Sequence, residues 1–387
     1  MSMTIDSILE RIERVLAGFP RPVALHEPLL GEAEREAVAR CVESGWVSYL
    51  GPDVERLERR LEEIHGGGHA VATASGTAAL HLALVLVGVQ PGDEVLMPPL
   101  TFAATANAAV YAGATPHFVD IEPRSLGACP ERLERHLART VETVSGQARN
   151  KATGRRVAAL VAVHVFGHPA MTKELEDVCR RFGIILVEDA AESLGSLQDG
   201  VPVGRRGAAS ALSFNGNKIV TAGGGGALLC PDAKSAALAR HLATTAKAPH
   251  PWKLGHDRLG FNYRMPNLNA SLALAQLGRL DEFLARKRTL ASRYAEAFAG
   301  LEGARVLAEP PGSRSNYWLN TILLEDSLLP VRDELFGKIR EAGILIRPAW
   351  ELVSSLPHFA HCPRSGLEVS QDMQPRVVNL PSSAALA

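Results

Sequence analysis

The 387-residue chain predicts an α/β fold, a mostly parallel sheet flanked by helices, and three observations carry that expectation. Between about residues 30 and 250, short apolar runs alternate with segments of helical periodicity, the pattern of successive strand–helix crossovers. The run Ile184–Val187 is continuously apolar rather than alternating, as a strand buried on both faces must be. Carboxylate, hydroxyl and amine side chains cluster where these runs end, the edge at which open α/β sheets bind ligands.

In chain order, Met1 to Phe19 interleaves Asp6, Glu10, Arg11, Glu13 and Arg14 with apolar positions at helical spacing. This predicts an amphipathic N-terminal arm over residues 1–30, and a secretory signal would instead need an uncharged apolar run. A large domain is expected over 31–250, with strands at Val71–Ala74, Val95–Pro98, Pro116–Asp120 and the apolar run above. The polar stretch Val141–Arg156, holding Gly146 and Gly154, reads as a surface excursion. A smaller C-terminal α+β domain is expected over 251–387, with a long amphipathic helix from Asn267 to about Phe298 and a strand at Trp318–Leu324. Ahead of it, the irregular Thr244–Pro266 connection reads as a binding loop, a lid or a contact between subunits.

Composition bounds the partners. A formal net charge of −1 leaves no electrostatic footprint for nucleic acid or an anionic membrane surface. The apolar runs are too short to span a bilayer, and a cytoplasmic location is expected. Cys41, Cys129, Cys179, Cys230 and Cys362 are scattered and odd in number, as reduced thiols would be. The histidines lack ligand spacing, so no metal is expected.

Chemistry concentrates in three segments. Lys218 lies just beyond the apolar stretch Ala211–Phe214 and ahead of Gly223–Gly226; a lysine held away from water there gains nucleophilicity and suits a Schiff base, although the segment taken alone reads first as a surface lysine beside a loose loop. Asp189 follows the run Ile184–Val187 and either holds the pyridine nitrogen of pyridoxal phosphate (PLP) protonated or caps the next helix. Gly76 and Thr77, between an apolar strand and an Ala/Leu-rich helix, offer helix-start amides to a phosphate, or form an ordinary N-terminal turn. The order of the three is what a PLP enzyme requires.

Ser75–Leu80, Pro99–Asn107, Glu188–Ala191, Ser213–Phe214 with Lys218, Gly260–Pro266 and Ile346–Trp350 together resemble the fold-type-I sugar aminotransferases of the DegT/DnrJ/EryC1/StrS group over nearly the whole chain. Leu25–Leu29, Ser44–Ser48, Val163–Pro169, Asn215–Lys218 and Thr244–His250 are similar to the subgroup that aminates C4 of UDP-linked 4-keto-6-deoxy-N-acetylhexosamines. The resemblance implies a seven-stranded large-domain sheet, PLP joined covalently to Lys218, Asp189 on its ring nitrogen, Phe102 stacked on its ring and Ser213 on its phosphate. It also implies glutamate as amino donor and a homodimer in which Asn262 reaches the neighbouring subunit's phosphate. Glu192 stands where many members carry glutamine, so its contact with the cofactor's ring hydroxyl loses an amide donor.

Arg347 reads as a guanidinium for a substrate phosphate or donor carboxylate, or as a structural ion pair. His26 and His164 are candidates to line the substrate site, although His164 reads first as a buried, satisfied histidine. Three rivals to C4 amination of the UDP sugar stand beside it. They are amination of another keto sugar or at C3, a PLP-binding regulator without turnover, and a Rossmann-type epimerase or dehydratase. The last would need a Gly-x-Gly-x-x-Gly turn after the first strand, and the glycine run here follows Lys218 instead.

Overall fold

All seven residues of Val157–Val163 are buried, and their alternation divides the molecule into layers. Val161 and Val163 point into one hydrophobic core and Leu160 and Ala162 into another on the opposite face, as the two-residue period of a strand demands. The computed structural model describes Ser2 to Ala387, and Met1, the first residue of the expected arm, lies outside the described residues.

The central sheet comprises β1 His69–Thr73, β2 Glu94–Met97, β3 Thr115–Phe118, β4 Val157–Val163, β5 Ile185–Asp189, β6 Ala209–Ser213 and β7 Gly226–Cys230. Its order is β1-β7-β6-β5-β4-β2-β3. β7 runs antiparallel to β1 and β6, and the other pairs are parallel, so the expected mostly parallel seven-stranded sheet is present. The helices are α1 Ser2–Val15, α2 Glu32–Ser44, α3 Pro52–Ile64, α4 Gly76–Leu86, α5 Ala104–Tyr111, α6 Pro130–Thr140, α7 Thr172–Phe182 and α8 Ala233–Ala243. Helices α4, α5 and α8 bury their apolar residues against one face of the sheet, and α6 and α7 against the other.

The expected helix from Asn267 to Phe298 is two helices, α9 Asn267–Leu277 and α10 Leu280–Phe298. Arg279 leaves helical geometry at φ −110° and ψ 8°, and its guanidinium bonds the Leu29 carbonyl, Glu34 and Glu282. A mid-pattern glycine, Gly278, marks this corner without announcing it, since helices tolerate isolated glycines. Helix α9 packs on α2 and α3, whereas α10 packs on α1.

The smaller sheet joins β8 Ala304–Val306, β9 Asn320–Leu324, β10 Arg347–Pro348 and β11 Val377–Leu380 in the antiparallel order β8-β9-β11-β10. Ile5, Ile8, Ile12 and Leu16 of the expected arm are fully buried in its core, beside Tyr294, Ile322 and the α11 helix Arg332–Glu341. Packing thus crosses the expected boundaries at 30 and 250: the N-terminal helix belongs with the C-terminal sheet, and α9 with the large one.

The expected surface excursion holds a two-stranded hairpin, Val141–Val144 with Gln147–Asn150, turning through Ser145 and Gly146 at positive φ. Behind it, Asn150 and Thr153 donate to the buried carboxylate of Glu94, which ties the excursion to the edge of the sheet. All five cysteines are free and buried.

Candidate active site

The C-terminal ends of β5 and β6 place the reactive groups side by side, because Asp189 is the register partner of Ala211, two residues before the end of β6. Past that end, Phe214 donates its amide to Gly225 and accepts from Ala222, so the segment carrying Lys218 is a closed turn rather than a loose loop. Lys218 Nζ lies 3.3 Å from Glu192 Oε1 and 4.0 Å from the centroid of the Trp318 ring. Its side chain is 13% exposed, enough for a small reactant to reach the amine.

Asp189 is buried, and both oxygens are oriented. Thr105 Oγ1 donates to Oδ2 at 2.7 Å, itself 2.7 Å from Thr101 Oγ1, and the Ala191 amide donates to Oδ1 at 3.2 Å. Among the described residues no basic side chain forms an ion pair with it. A carboxylate withdrawn from water and left with neutral donors is suited to a cationic N–H arriving from a bound molecule.

Glu192 accepts from Lys218 and, at 2.9 Å, from the Phe166 amide. Burial pushes its carboxyl above the usual range, with the Lys218 ammonium pulling the other way. Phe166 holds φ at 56°, a left-handed conformation that costs a non-glycine residue energy, and this is the conformation that delivers its amide to Glu192. Its ring lies 5.0 Å from that of Trp350, which also neighbours Phe102 at 6.4 Å. Phe102 is 58% exposed, an aromatic face open to a flat partner.

Gly76 begins α4, and Ser75 caps it by accepting from the Ala78 amide at 3.1 Å. The first intrahelical bond starts at Ala79, so the Gly76 and Thr77 amides are left to the helix's positive end. A Cβ at Gly76 would stand 2.8 Å from Ser213 Cβ, and one at Gly226 would stand 2.6 Å from the Gly76 nitrogen. The two glycines therefore let helix start, Ser213 and β7 close into one cradle. A cradle of free amides and a hydroxyl, a cation-free carboxylate, an accessible amine and an open aromatic face match the phosphate, ring nitrogen, aldehyde and ring of PLP.

The side chains of the remaining expected residues make no hydrogen bond to this cluster among the described residues. Asn262 sits in the 244–266 connection, bridged through its backbone to Thr244, and its side chain is exposed. Arg347 is exposed on β10 and enters no ion pair among the described residues. His164 lies behind the site: Nε2 meets Glu188 Oε2 at 3.0 Å and Nδ1 accepts from the Ala170 amide at 3.0 Å. With both ring nitrogens occupied and the side chain fully buried, it braces the core and leaves nothing to offer a substrate. His26 is half-buried beside the site, its ring 6.4 Å from that of Trp318 and its Nε2 3.0 Å from Lys287 Nζ. Burial and the neighbouring lysines hold its imidazole well below the usual range.

Residues 28–387 match the sequence profile of the DegT/DnrJ/EryC1/StrS aminotransferase family. The chain belongs to this family. It is 37% identical to EpsN of Bacillus subtilis strain 168, classed with the PLP-dependent aminotransferases, over 88% of this chain and 84% of EpsN. It is 33% identical to a GDP-perosamine synthase of Caulobacter vibrioides over 96% of this chain and 95% of that protein. The crystal structure of the aminotransferase TlmJ from Streptoalloteichus hindustanus superimposes with a TM-score of 0.84 at 29% identity, covering 94% of each chain. This family member is thus a fold-type-I, PLP-dependent transaminase.

Trp318, Thr105, Thr101 and Asn316 were not anticipated as parts of the site. Thr101 and Thr105 fall inside the Pro99–Asn107 string that carried the resemblance, and their spacing of four residues was the available signal. Trp318 was read only as the start of a strand, and Asn316, whose side-chain amide donates to the Glu192 and Leu194 carbonyls, lies two residues ahead of that strand in a stretch given no reading.

Proposed function

We propose that the enzyme transfers the amino group of glutamate to C4 of a UDP-linked 4-keto-6-deoxy-N-acetylhexosamine, giving the 4-amino sugar and 2-oxoglutarate. The observation that carries the chemistry is Lys218, accessible and carboxylate-paired, on the same sheet edge as a cation-free Asp189. Bound PLP supplies an electron sink for the carbanion. Asp189 would hold a proton on the ring nitrogen, kept in line by Thr105 and the Ala191 amide. Gly76, Thr77 and Ser213 would bind the phosphate, and Phe102 would cover the ring. Lys218 Nζ would carry the proton between the reacting carbons, with Glu192 at 3.3 Å able to exchange a proton with the amine.

The UDP-sugar assignment is supported by the subgroup strings Asn215–Lys218, Val163–Pro169 and Thr244–His250. A second reading, a GDP-linked sugar, is favoured by the 33% and 34% identity to GDP-perosamine synthases of Caulobacter vibrioides and Vibrio cholerae. Arg347 would bind a substrate phosphate or the donor carboxylate, Asn262 would complete the neighbouring subunit's cofactor site in a homodimer, and the enzyme would work in the cytoplasm.

Supplying the purified protein with glutamate and UDP- or GDP-linked 4-keto-6-deoxy sugars, and reading products by mass and proton NMR, separates these. Amination at C4 of the UDP sugar alone supports the first reading. Product from the GDP sugar alone replaces it with the second, amination at C3 moves the position, and PLP binding without 2-oxoglutarate release leaves a non-catalytic binder.

A further inference from the structure

Lys287 is fully buried in α10 and meets no carboxylate among the described residues. Its Nζ donates to the carbonyls of Trp318 at 3.1 Å and Ser382 at 2.5 Å, and lies 3.0 Å from His26 Nε2. One amine therefore ties together three stretches of chain, around residues 26, 318 and 382. A buried ammonium without a counter-ion is costly, and burial pulls this one down to about 7. The bond pattern suits the neutral amine: two N–H groups on two carbonyls, and a lone pair receiving the His26 Nε2 proton. His26 Nδ1, buried without a partner, is then a bare acceptor rather than an orphaned donor, the less costly of the two.

What Lys287 holds is the residue against which Lys218 rests. Trp318 is clamped at every polar atom: its amide donates to Asn316 Oδ1 at 2.8 Å, its indole N–H to the Asn217 carbonyl at 2.7 Å, and its carbonyl accepts from Lys287. Asn316 in turn donates to the carbonyls of Glu192 and Leu194. Tyr317, immediately before it, is held at φ 48°, a conformation that persists only where its surroundings enforce it.

We propose that Lys287 is a positioning residue of the active site, whose buried amine fixes the Trp318 carbonyl so that the indole face confines the Lys218 amine beside Glu192. It acts through Trp318 and touches neither cofactor nor substrate. The inference rests on Lys218 being the reacting amine, while its test is independent of any sugar.

The test is the rate of reductive methylation at Lys218 Nζ at neutral pH, mapped by mass spectrometry on the full-length chain after hydroxylamine treatment and dialysis. In Lys287→Met the freed indole no longer holds the amine beside Glu192, so methylation at neutral pH rises about threefold to tenfold. Lys287→Gln keeps two N–H donors for the two carbonyls and stays near wild type, whereas a role in filling volume alone would move both variants equally. In a Trp318→Leu background, Lys287→Met adds nothing further, because the two changes act through one contact. An unchanged or slower rate in Lys287→Met, or an equal increase with Trp318→Leu already present, overturns the proposal. Should Lys287→Met fail to fold, His26→Leu, which strips one partner from the amine, is read against the same two outcomes.

Discussion

The floor of the active site and its rim are built differently. On the floor, at the ends of β5 and β6, every reactive group is held from within the chain: Asp189 by Thr105 and Ala191, Glu192 by the Phe166 amide, Lys218 by Glu192 and Trp318. On the rim, Phe102, Asn262 and Arg347 stand exposed, and among the described residues none of their side chains is held by a hydrogen bond or ion pair. A preorganised floor acts on the chemical step, whereas rim groups act once another molecule has arrived. Variants on the floor are thus expected to lower kcat and variants on the rim to raise KM.

Lys218→Ala is expected to lower turnover by at least about a thousandfold and to remove the borohydride-bleachable visible band of the purified protein. A retained band would take Lys218 out of the covalent role. Asp189→Asn keeps the shape and the Thr105 contact but removes the negative charge, and kcat should fall about 10²- to 10³-fold with KM little changed. If the rim at Asn262 serves the neighbouring subunit, mixing inactive Lys218→Ala and Asn262→Ala chains should restore about a quarter of wild-type activity, since half the random dimers carry one intact site. No recovery after confirmed subunit exchange would place Asn262 in its own subunit's site. Arg347→Ala should raise KM for the sugar or for glutamate about tenfold while kcat stays within about a factor of two. A matching loss in kcat would move Arg347 from rim to floor.

The smallest effect lies outside both regions. His168 is buried with neither ring nitrogen partnered among the described residues, and burial lowers its imidazole to about 4. The unfolded chain, titrating near 6.5, binds this proton first, so the histidine costs stability progressively as pH falls from about 6.5 to about 4, by at most about 3 kcal/mol. His168→Leu should flatten the drop in Tm between pH 7 and pH 4.5, and an unchanged drop would assign the acid sensitivity elsewhere.

The floor was legible in the sequence because each part of it ends an apolar run: Asp189 after Ile184–Val187, Lys218 after Ala211–Phe214, Gly76 after Val71–Ala74. Which side of a strand a residue faces was harder to read. Glu188 and Asp189 are neighbours, yet Asp189 meets Thr105 while Glu188 receives His164 and the amides of Gly204, Arg206 and Gly207 on the other face. His164 was drawn toward the site by its place at a strand end and belongs instead to that opposite network. Trp318 lies 101 residues from Asn217, whose carbonyl it bonds, and such long-range contacts leave no local pattern to find. The same holds for α1, whose amphipathic spacing was evident but whose partner, the sheet built after residue 300, was not.

The corner at Arg279 has a mechanical corollary. Because one guanidinium joins the Leu29 carbonyl and Glu34 to the first turn of α10, a tilt of that helix would be felt where the segment after the N-terminal helix enters α2, and through the adjoining α9 at the start of α3, whose Asp53 and Val54 amides bond Asn267. The elbow behaves as a lever arm: loosening it would speed amide hydrogen exchange in α3 and α10 together, though the two helices lie more than 200 residues apart along the chain.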